Sequence, residues 1–504
     1  MKRKLCLIAV LCLMLIGCQK TPEESAIVSK ANGLREDVIM EPLEDAEKVT
    51  LDVPSRWKME EKRSNDRVTI SAELELGIME VENLPVIEKS NYKLSQQELE
   101  ALVSYFSKDE KLYVPNVNTK EVYQYVIDRI ENQEGSYSNT FMASSYSELK
   151  SAVEKAKELA PETDTESEIT EVKFQKILED SAKIASEDWS GGKKQDKNSE
   201  AEDYFSADVG PERDAHIEAE RYNFKLGNSS RFTWRNGAES LSFRNIQYSL
   251  DSGNYFSALG YAEKLATLYD QYKACLGQSN MISEEDGKTQ AERLLEDLDI
   301  SNMEVSSIEQ VLWFPNSMAY KAKEIGFGED YLWQVDLTQA VAGYQYTFST
   351  YVNGIPAKQA YGTVAEQTTE SYKPPFPVET IHIVVTKDGV QSFQWEGMTE
   401  DVKIIADNTK LLPFETIQNQ LTDQIFYWYS QMGQPENDST QFVYKVTDAE
   451  LVYTYIPAYE EPKDAWLVPA WVFSVSETNN GLETPWTNRF VINALDGGAI
   501  GSAN

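Results

Sequence analysis

Histidine is nearly missing from this chain: among 504 residues there are two, His216 and His382, beside four cysteines. That scarcity closes several routes to chemistry. A zincin helix needs two histidines in a His-Glu-any-any-His run, and neither histidine has that neighbourhood. A thiolate zinc site needs clustered cysteines, and Cys6, Cys12, Cys18 and Cys275 offer no such cluster. A Ser-His-acid relay would have to use His216 or His382, and no Gly-any-Ser-any-Gly elbow marks a nucleophile. A phosphate loop is also lacking. Positive charge is short as well. Lys and Arg number 47 against 83 Asp and Glu, a formal charge of −36, and such a surface repels nucleic acid and anionic lipid headgroups. The apolar run Leu5–Ile16 has twelve residues, whereas a membrane-crossing helix needs ~20.

Those twelve residues have other uses. Lys2, Arg3 and Lys4 precede them, and Gly17-Cys18 follows. A basic start, a short apolar core and a small residue before the cut are the parts of an export signal. Leu15-Ile16-Gly17-Cys18 resembles the lipobox of bacterial lipoproteins. The resemblance implies that residues 1–17 are a signal peptide. It also implies that the Cys18 thiol receives a diacylglyceryl group and that Cys18 becomes the new N-terminus. Two acyl chains anchor firmly where one is marginal, so the expected place is the extracytoplasmic face of the cell membrane. Cleavage removes three basic residues and no acidic one, which moves the charge from −36 to −39. It leaves Cys275 with no possible disulfide partner, so the fold must be held by packing alone. Cys275 lies in a helical apolar pattern and is expected to be a buried, inert thiol.

Residues 18–47 are polar, with Pro22 and Pro42, and read as a flexible tether with a reach on the order of 30 Å. An N-terminal α+β domain is expected over 48–280. Val68, Ile70, Ala72 and Leu74 alternate with polar residues, the mark of a half-buried strand. Ser95-Gln96-Gln97-Glu98 reads as a capping box opening a helix, and further helices are expected from Asn118, from Ser145, over Ile169–Ala185 and over Tyr255–Leu276. Residues 190–210, with Gly191-Gly192 and three lysines, read as a mobile surface loop. Asn236-Gly237, between Phe232-Thr233-Trp234 and Leu241-Ser242-Phe243, signals a two-residue hairpin.

The second half shows a helix followed by strands twice, over 281–400 and 401–504. The first copy has a helix opened by Ser283, the strand Tyr344–Thr350, and Ile381–Val385 turning at Lys387-Asp388-Gly389 into Val390–Trp395. The second has a helix over Phe414–Met432 and strands over Phe442–Ile456, Trp466–Phe473 and Phe490–Leu495, closing on Asp496-Gly497-Gly498. Leu467-Val468-Pro469-Ala470-Trp471 with Val491–Gly498 resembles the last strands of PepSY-type domains and the extracellular domains of YycI-type regulators, which restrain a sensor kinase. Gly343–Pro356 resembles a strand of related propeptide-like modules. The whole, lipobox included, is similar to a family of uncharacterised lipoproteins of anaerobic Gram-positive bacteria. The resemblance implies an α+β fold, helices packed on antiparallel sheets. It carries over no catalytic residues, and it departs from YycI-type proteins in using an acyl anchor instead of a transmembrane helix.

His382 lies opposite Ile381 and Ile383 in its strand and is expected to face solvent. Trp471 shares a strand face with Leu467, Pro469 and Phe473 and is expected in the core; Pro469, lacking an N–H, suggests an edge or a bulge. No catalytic, metal-ligating or cofactor-binding residues emerge, and Cys18 is the one expected site, for lipidation. The role expected is non-catalytic binding or regulation of an envelope protein or a cell-wall ligand. The alternative is a cell-wall or glycan-active enzyme built on a carboxylate pair among tryptophans. Replacing Cys18 with Ala should abolish incorporation of a fatty-acid analogue in cells and leave precursor still bearing residues 1–17; equal label in the two proteins would refute the lipobox.

Overall fold

The architecture was taken from a computed structural model of the chain. The residues it describes are Lys30, Gly33, Leu34 and Ile39, then, with short gaps, 49–134, 150–176, 200–242, 270–314, 340–362, 371–431 and 440–501. The lipobox, Cys18, Lys193, Lys194 and most of the Tyr255–Leu276 segment lie outside them. The fold is α+β, with helices laid on sheets that are antiparallel apart from one parallel pair. Among the described residues no helix is long and apolar enough to cross a membrane.

Short strands β1 (Val49–Thr50) and β4 (Glu80–Val81) pair with one another. The longer N-terminal strands are β2 (Arg56–Arg63), β3 (Val68–Glu75) and β5 (Val86–Asn91). They do not form a sheet with the elements that follow them. They join β18 (Thr399–Ala406), β19 (Phe442–Pro457), β20 (Ala465–Asn479) and β21 (Leu482–Asn493) in a seven-stranded sheet. There β3 runs parallel to β19, Val68 beside Phe442 and Ala72 beside Val446. The other sheet has twelve strands. It combines β9 (Glu200–Val209), β10 (Ala215–Asn223) and β11 (Asn228–Asn236) with β13 (Met303–Phe314), β14 (Val341–Val352), β16 (Thr380–Thr386) and β17 (Gly389–Glu396). Shorter strands complete it: β6 (Leu112–Tyr113), β7 (Glu168–Ile169), β8 (Gln175–Lys176), β12 (Glu239–Ser242) and β15 (Ile355–Pro356). Each sheet thus takes strands from both sides of the boundary expected at residue 280.

Helix α1 (Gln96–Ser107) begins at Ser95 with both halves of the capping box formed, Ser95 Oγ accepting from Glu98 N and the Glu98 carboxylate accepting from Ser95 N. Its Leu99, Leu102, Val103 and Phe106 are buried on the twelve-stranded sheet. Phe106 stacks against Phe232 and Trp234 with ring centroids 5.6 and 5.1 Å away. Helix α2 (Lys120–Glu134) follows. Helix α3 (Glu284–Asp297), capped by Ser283, lies on the same core through Ala291, Leu294 and Leu295. It approaches closely because Gly287 has no Cβ, which would collide with the Tyr346 hydroxyl; that hydroxyl donates to Glu284 O at 2.7 Å. Helix α4 (Phe414–Gln431) buries Phe414, Ile417, Leu421 and Ile425 on the seven-stranded sheet with Trp471, Phe473 and Phe490.

Two hairpins are closed by positive-φ turns, and the second of them is the one expected from Lys387-Asp388-Gly389. Asn353-Gly354, both with φ > 0, closes β14 on β15, and Gly389, at φ 96°, closes β16 on β17. Asn236-Gly237 does not make the expected hairpin. Both edges of β11 are already taken, by β10 and β17, so β12 crosses to pair with β13 instead. Trp313 on β13 then donates its indole N–H to Asn236 O at 2.9 Å. Nor are residues 200–209 part of a loop: they are β9, with Phe205, Ala207 and Val209 buried. The expected helix over Ile169–Ala185 is also not found where it is described, since 168–169 and 175–176 are strands.

The expected tether over 18–47 is docked in part. Leu34 is buried among Val452, Trp466, Tyr372 and Ile500, and a Cβ on Gly33 would meet Pro457 O at 2.4 Å. Lys30 Nζ pairs with Asp496, whose carboxylate also accepts from Tyr372 OH at 2.7 Å and from Gly498 N at 2.9 Å. The Asp496-Gly497-Gly498 turn therefore receives the N-terminal segment. That leaves residues 19–29 between Cys18 and Lys30, at most ~40 Å of chain even when fully drawn out.

Pro469 stands in a central strand, where proline is normally excluded. One side of β20 is paired with β5 over 465–467 and with β21 from 470 onward. The Pro469 carbonyl points to the β21 side, accepting from Ala494 N at 3.0 Å. In a strand the N–H of a residue points the same way as its carbonyl, so the missing donor falls where one neighbour hands over to the next. Trp471 is 1% exposed, edge-on to Phe414 at 5.1 Å. Trp471→Ala in the soluble chain 19–504 should cost about 3–5 kcal/mol in urea unfolding; a loss under ~0.5 kcal/mol, typical of surface changes, would remove Trp471 from the core.

Candidate functional site

Strand alternation places the apolar side chains of the twelve-stranded sheet on the helix side and, apart from a buried patch of Val311, Trp313 and Val384, polar ones on the other. The register orders that outer face into cross-strand rows. One runs Ser206, Glu218, Thr233, Gln394, His382, Thr347, Ser307; the next runs Tyr204, Glu220, Arg231, Glu396, Thr380, Ser349. On the seven-stranded sheet the corresponding outer face is apolar at one end, where Val452, Trp466, Val468 and Val491 are buried. At the other end it carries the row Arg489, Ser474, Asp448 and, beside it, Glu450.

These two polar surfaces meet. Strand β17 passes to β18 through Gly397, at φ 64°, where a Cβ would lie 2.7 Å from Pro377 O. The chain crosses again at the same place, where Tyr92 N, following β5, donates to Met398 O at 2.9 Å. Between the sheets lies a cleft of about 630 Å³, bounded by Ser306, Thr347, Ser349, Thr380, His382 and Glu396 on one side and Asp448, Glu450, Val472, Ser474 and Arg489 on the other, with Lys358–Ala360 and Pro377-Val378 between. That volume is in the range of small-molecule sites.

His382 lies opposite the isoleucines, as the alternation requires. That face, however, lines the cleft and not open solvent, so the imidazole is half-buried, with Nδ1 3.0 Å from Thr347 Oγ1. Desolvation pushes its pKa down, against a smaller opposing pull from Glu396, and the ring is neutral at neutral pH. Ser306 and Ser349 share a hydrogen bond of 2.9 Å, and Lys358 is paired with Glu450 at 2.6 Å. The side chains of Arg489 and Asp448 make no hydrogen bond or ion pair with any described residue. Among the described residues, no Phe, Tyr or Trp lines the cleft.

Two constellations further along the same face escaped the sequence. Ser206 Oγ lies 3.3 Å from His216 Nε2, and His216 Nδ1 lies 2.8 Å from Asp208 Oδ1, while Arg213 holds the other oxygen of Asp208 at 3.3 Å. Ser206 and Asp208 are two apart on β9 and His216 is cross-strand to Asp208, a pairing that no linear motif records. The order of groups is that of a nucleophile relay. A relay also needs N–H donors converging on an oxyanion above the serine. On a flat strand the N–H groups lie in the sheet plane and serve its ladders, perpendicular to the side chain.

The second constellation is Glu218 with Glu220. They are hydrogen-bonded to each other and share Arg231, which binds Glu220 and lies 3.8 Å from Glu218. Burial, then the Glu218 charge, pushes the Glu220 pKa up to about 7. Glycosidase carboxylates stand ~5–5.5 Å or ~6.5–9.5 Å apart, and a pair in direct hydrogen bond matches neither. Among the described residues, no group of three or more His, Cys, Asp and Glu is placed to hold a metal. Cys275 is partly buried, and burial raises its pKa, away from a reactive thiolate.

An exposed sheet edge is present too. Among the described strands, β18 pairs with β5 alone, and Val402 and Ile404 on it are 50% and 60% exposed. Two register breaks bend it, a device that discourages edge pairing.

No family model matches the chain, and no curated protein matches it. Among solved structures it is similar to the crystal structure, at 1.45 Å resolution, of an uncharacterized protein from Eubacterium rectale ATCC 33656. The identity is 10% and the TM-score 0.38, over 90% of this chain and 95% of that one.

Because Glu220 is raised in the folded state, the native protein holds a proton there that the unfolded chain releases near pH 4.5. Stability from this group is present below that range and is lost as pH rises through about 7. Glu379 and Glu477 are raised by burial in the same sense, so the diagnostic is a difference. The decline in melting temperature between pH 5 and pH 8 should be shallower in Glu220→Gln than in wild type; parallel profiles would contradict the assignment.

Proposed function

We propose that this is a membrane-anchored extracytoplasmic lipoprotein that binds a small ligand in the cleft between its two sheets and performs no chemistry on it. Anchoring rests on the lipobox and Cys18, with the acyl chains as the contact to the membrane. The observation that carries the binding role is the cleft itself: about 630 Å³, walled by hydroxyls and charged side chains from both sheets. The glycan-active alternative called for paired carboxylates among tryptophans. The described lining of the cleft has no tryptophan, and its Glu450 is engaged by Lys358. A ligand released from the cell wall fits the expected location.

Ser474 stands in the middle of the Arg489-Ser474-Asp448 row, and Ser474→Trp fills the cleft from a strand position that suits an aromatic side chain. The low-mass fraction of a bacterial cell-wall digest should raise the melting temperature of soluble 19–504, since ligand at ~100 times its Kd adds about 2.7 kcal/mol. Ser474→Trp should keep its fold and lose that shift. Equal shifts in both proteins, or conversion of a component of the fraction, would overturn the reading.

A further inference from the structure

We infer that the cleft takes a short zwitterionic peptide, its free amino group toward Asp448 and its free carboxylate toward Arg489; this deepens the binding role proposed above and rests on it. Arg489, Ser474 and Asp448 are consecutive members of one cross-strand row on β21, β20 and β19. Adjacent strands lie ~4.8 Å apart, which sets the two charged residues ~9.6 Å apart along the row. Both line the cleft. The two make no ion pair with each other or with any described residue, although most charged neighbours are engaged: Lys358 with Glu450 at 2.6 Å, and Glu396 with Arg231 at 4.0 Å and, by hydrogen bond, with Gln394. One cation and one anion therefore stand uncompensated at opposite ends of a hydroxyl-bearing row.

A ligand of single charge suits this site poorly. An anion drawn to Arg489 meets Asp448, Glu450 and Glu396, and a cation drawn to Asp448 meets Arg489 and Lys358. A molecule with both charges satisfies both ends. An extended peptide advances ~3.3 Å per residue, so the termini of a di- or tripeptide fall within reach of two polar side chains rooted ~9.6 Å apart. The facing wall suits the amide groups between. Ser306, Thr347, Ser349 and Thr380 each can donate and accept, and His382, kept neutral by burial, brings no further charge. Among the described lining residues there is no Phe, Tyr or Trp to serve as a stacking platform for a sugar or a base.

The test uses soluble 19–504 and trialanine, with N-acetyl-trialanine and trialanine amide as controls, in titration calorimetry. Trialanine should bind, and blocking either end should weaken binding about tenfold or more, about 1.4 kcal/mol. Asp448→Asn should erase the discrimination against the acetylated peptide and leave that against the amide. Arg489→Gln should do the reverse. Equal binding of free and blocked peptides by wild type overturns the proposal. Failure of every peptide, with the Ser474-dependent response to the wall fraction intact, overturns the peptide assignment and leaves the cleft as a binding site. Failure of both removes the cleft reading altogether.

Discussion

The parallel pairing of β3 with β19 is the constraint on which the architecture depends. Val68, Ile70 and Ala72 lie beside Phe442, Tyr444 and Val446, and all six are fully or nearly fully buried. Strands from the two ends of the chain share one core, so everything between them must leave and return. The second sheet is what lies between. It is entered after β5 and left between β17 and β18, at two crossings that touch through Tyr92 and Met398. Contacts of such long sequence separation carry a loop-closure cost before they are formed.

The cleft is a consequence of that route. Each sheet buries one face under helices: α1 and α3 on the twelve-stranded sheet, α4 on the other. Because side chains alternate along a strand, the opposite faces are polar unless something covers them. On the seven-stranded sheet the docked N-terminal segment and the Tyr372–Ile500 region cover half of that face. The uncovered half, with Asp448, Glu450, Ser474 and Arg489, looks across at the hydroxyl rows of the other sheet. Arginine and aspartate can stay unpaired there because the cleft is open enough to keep them hydrated; each gains when a ligand replaces that water.

The same outer face shows why a constellation of groups is not a function. Ser206, His216 and Asp208 have the order of a relay, and Glu220, hydrogen-bonded to Glu218, has a raised pKa. Among the described residues, the first is not joined by converging N–H donors, and the second does not have a glycosidase's carboxylate separation. They are read more simply as charge and hydrogen-bond pairing across strands, the means by which a polar sheet face holds its register.

The sequence by itself determined the local structure wherever the cause was local. The Ser95–Glu98 capping box, the positive-φ glycines at 354 and 389, the alternation of β3, the apolar face of α4 and the burial of Trp471 each depend on residues a few positions apart. The tertiary structure decided what depends on which neighbour is present. Asn236-Gly237 failed to make a hairpin because β17 had claimed the edge of β11. Pro469 entered a central strand because two neighbours change over there. Part of the expected tether docked because Asp496 and the groove around Tyr372 were waiting for Lys30 and Leu34. His382, Arg489 and Asp448 became parts of one site for the same reason. Alternation says that a side chain points away from its own core; only the packing of the second sheet says whether it then faces water or a cleft.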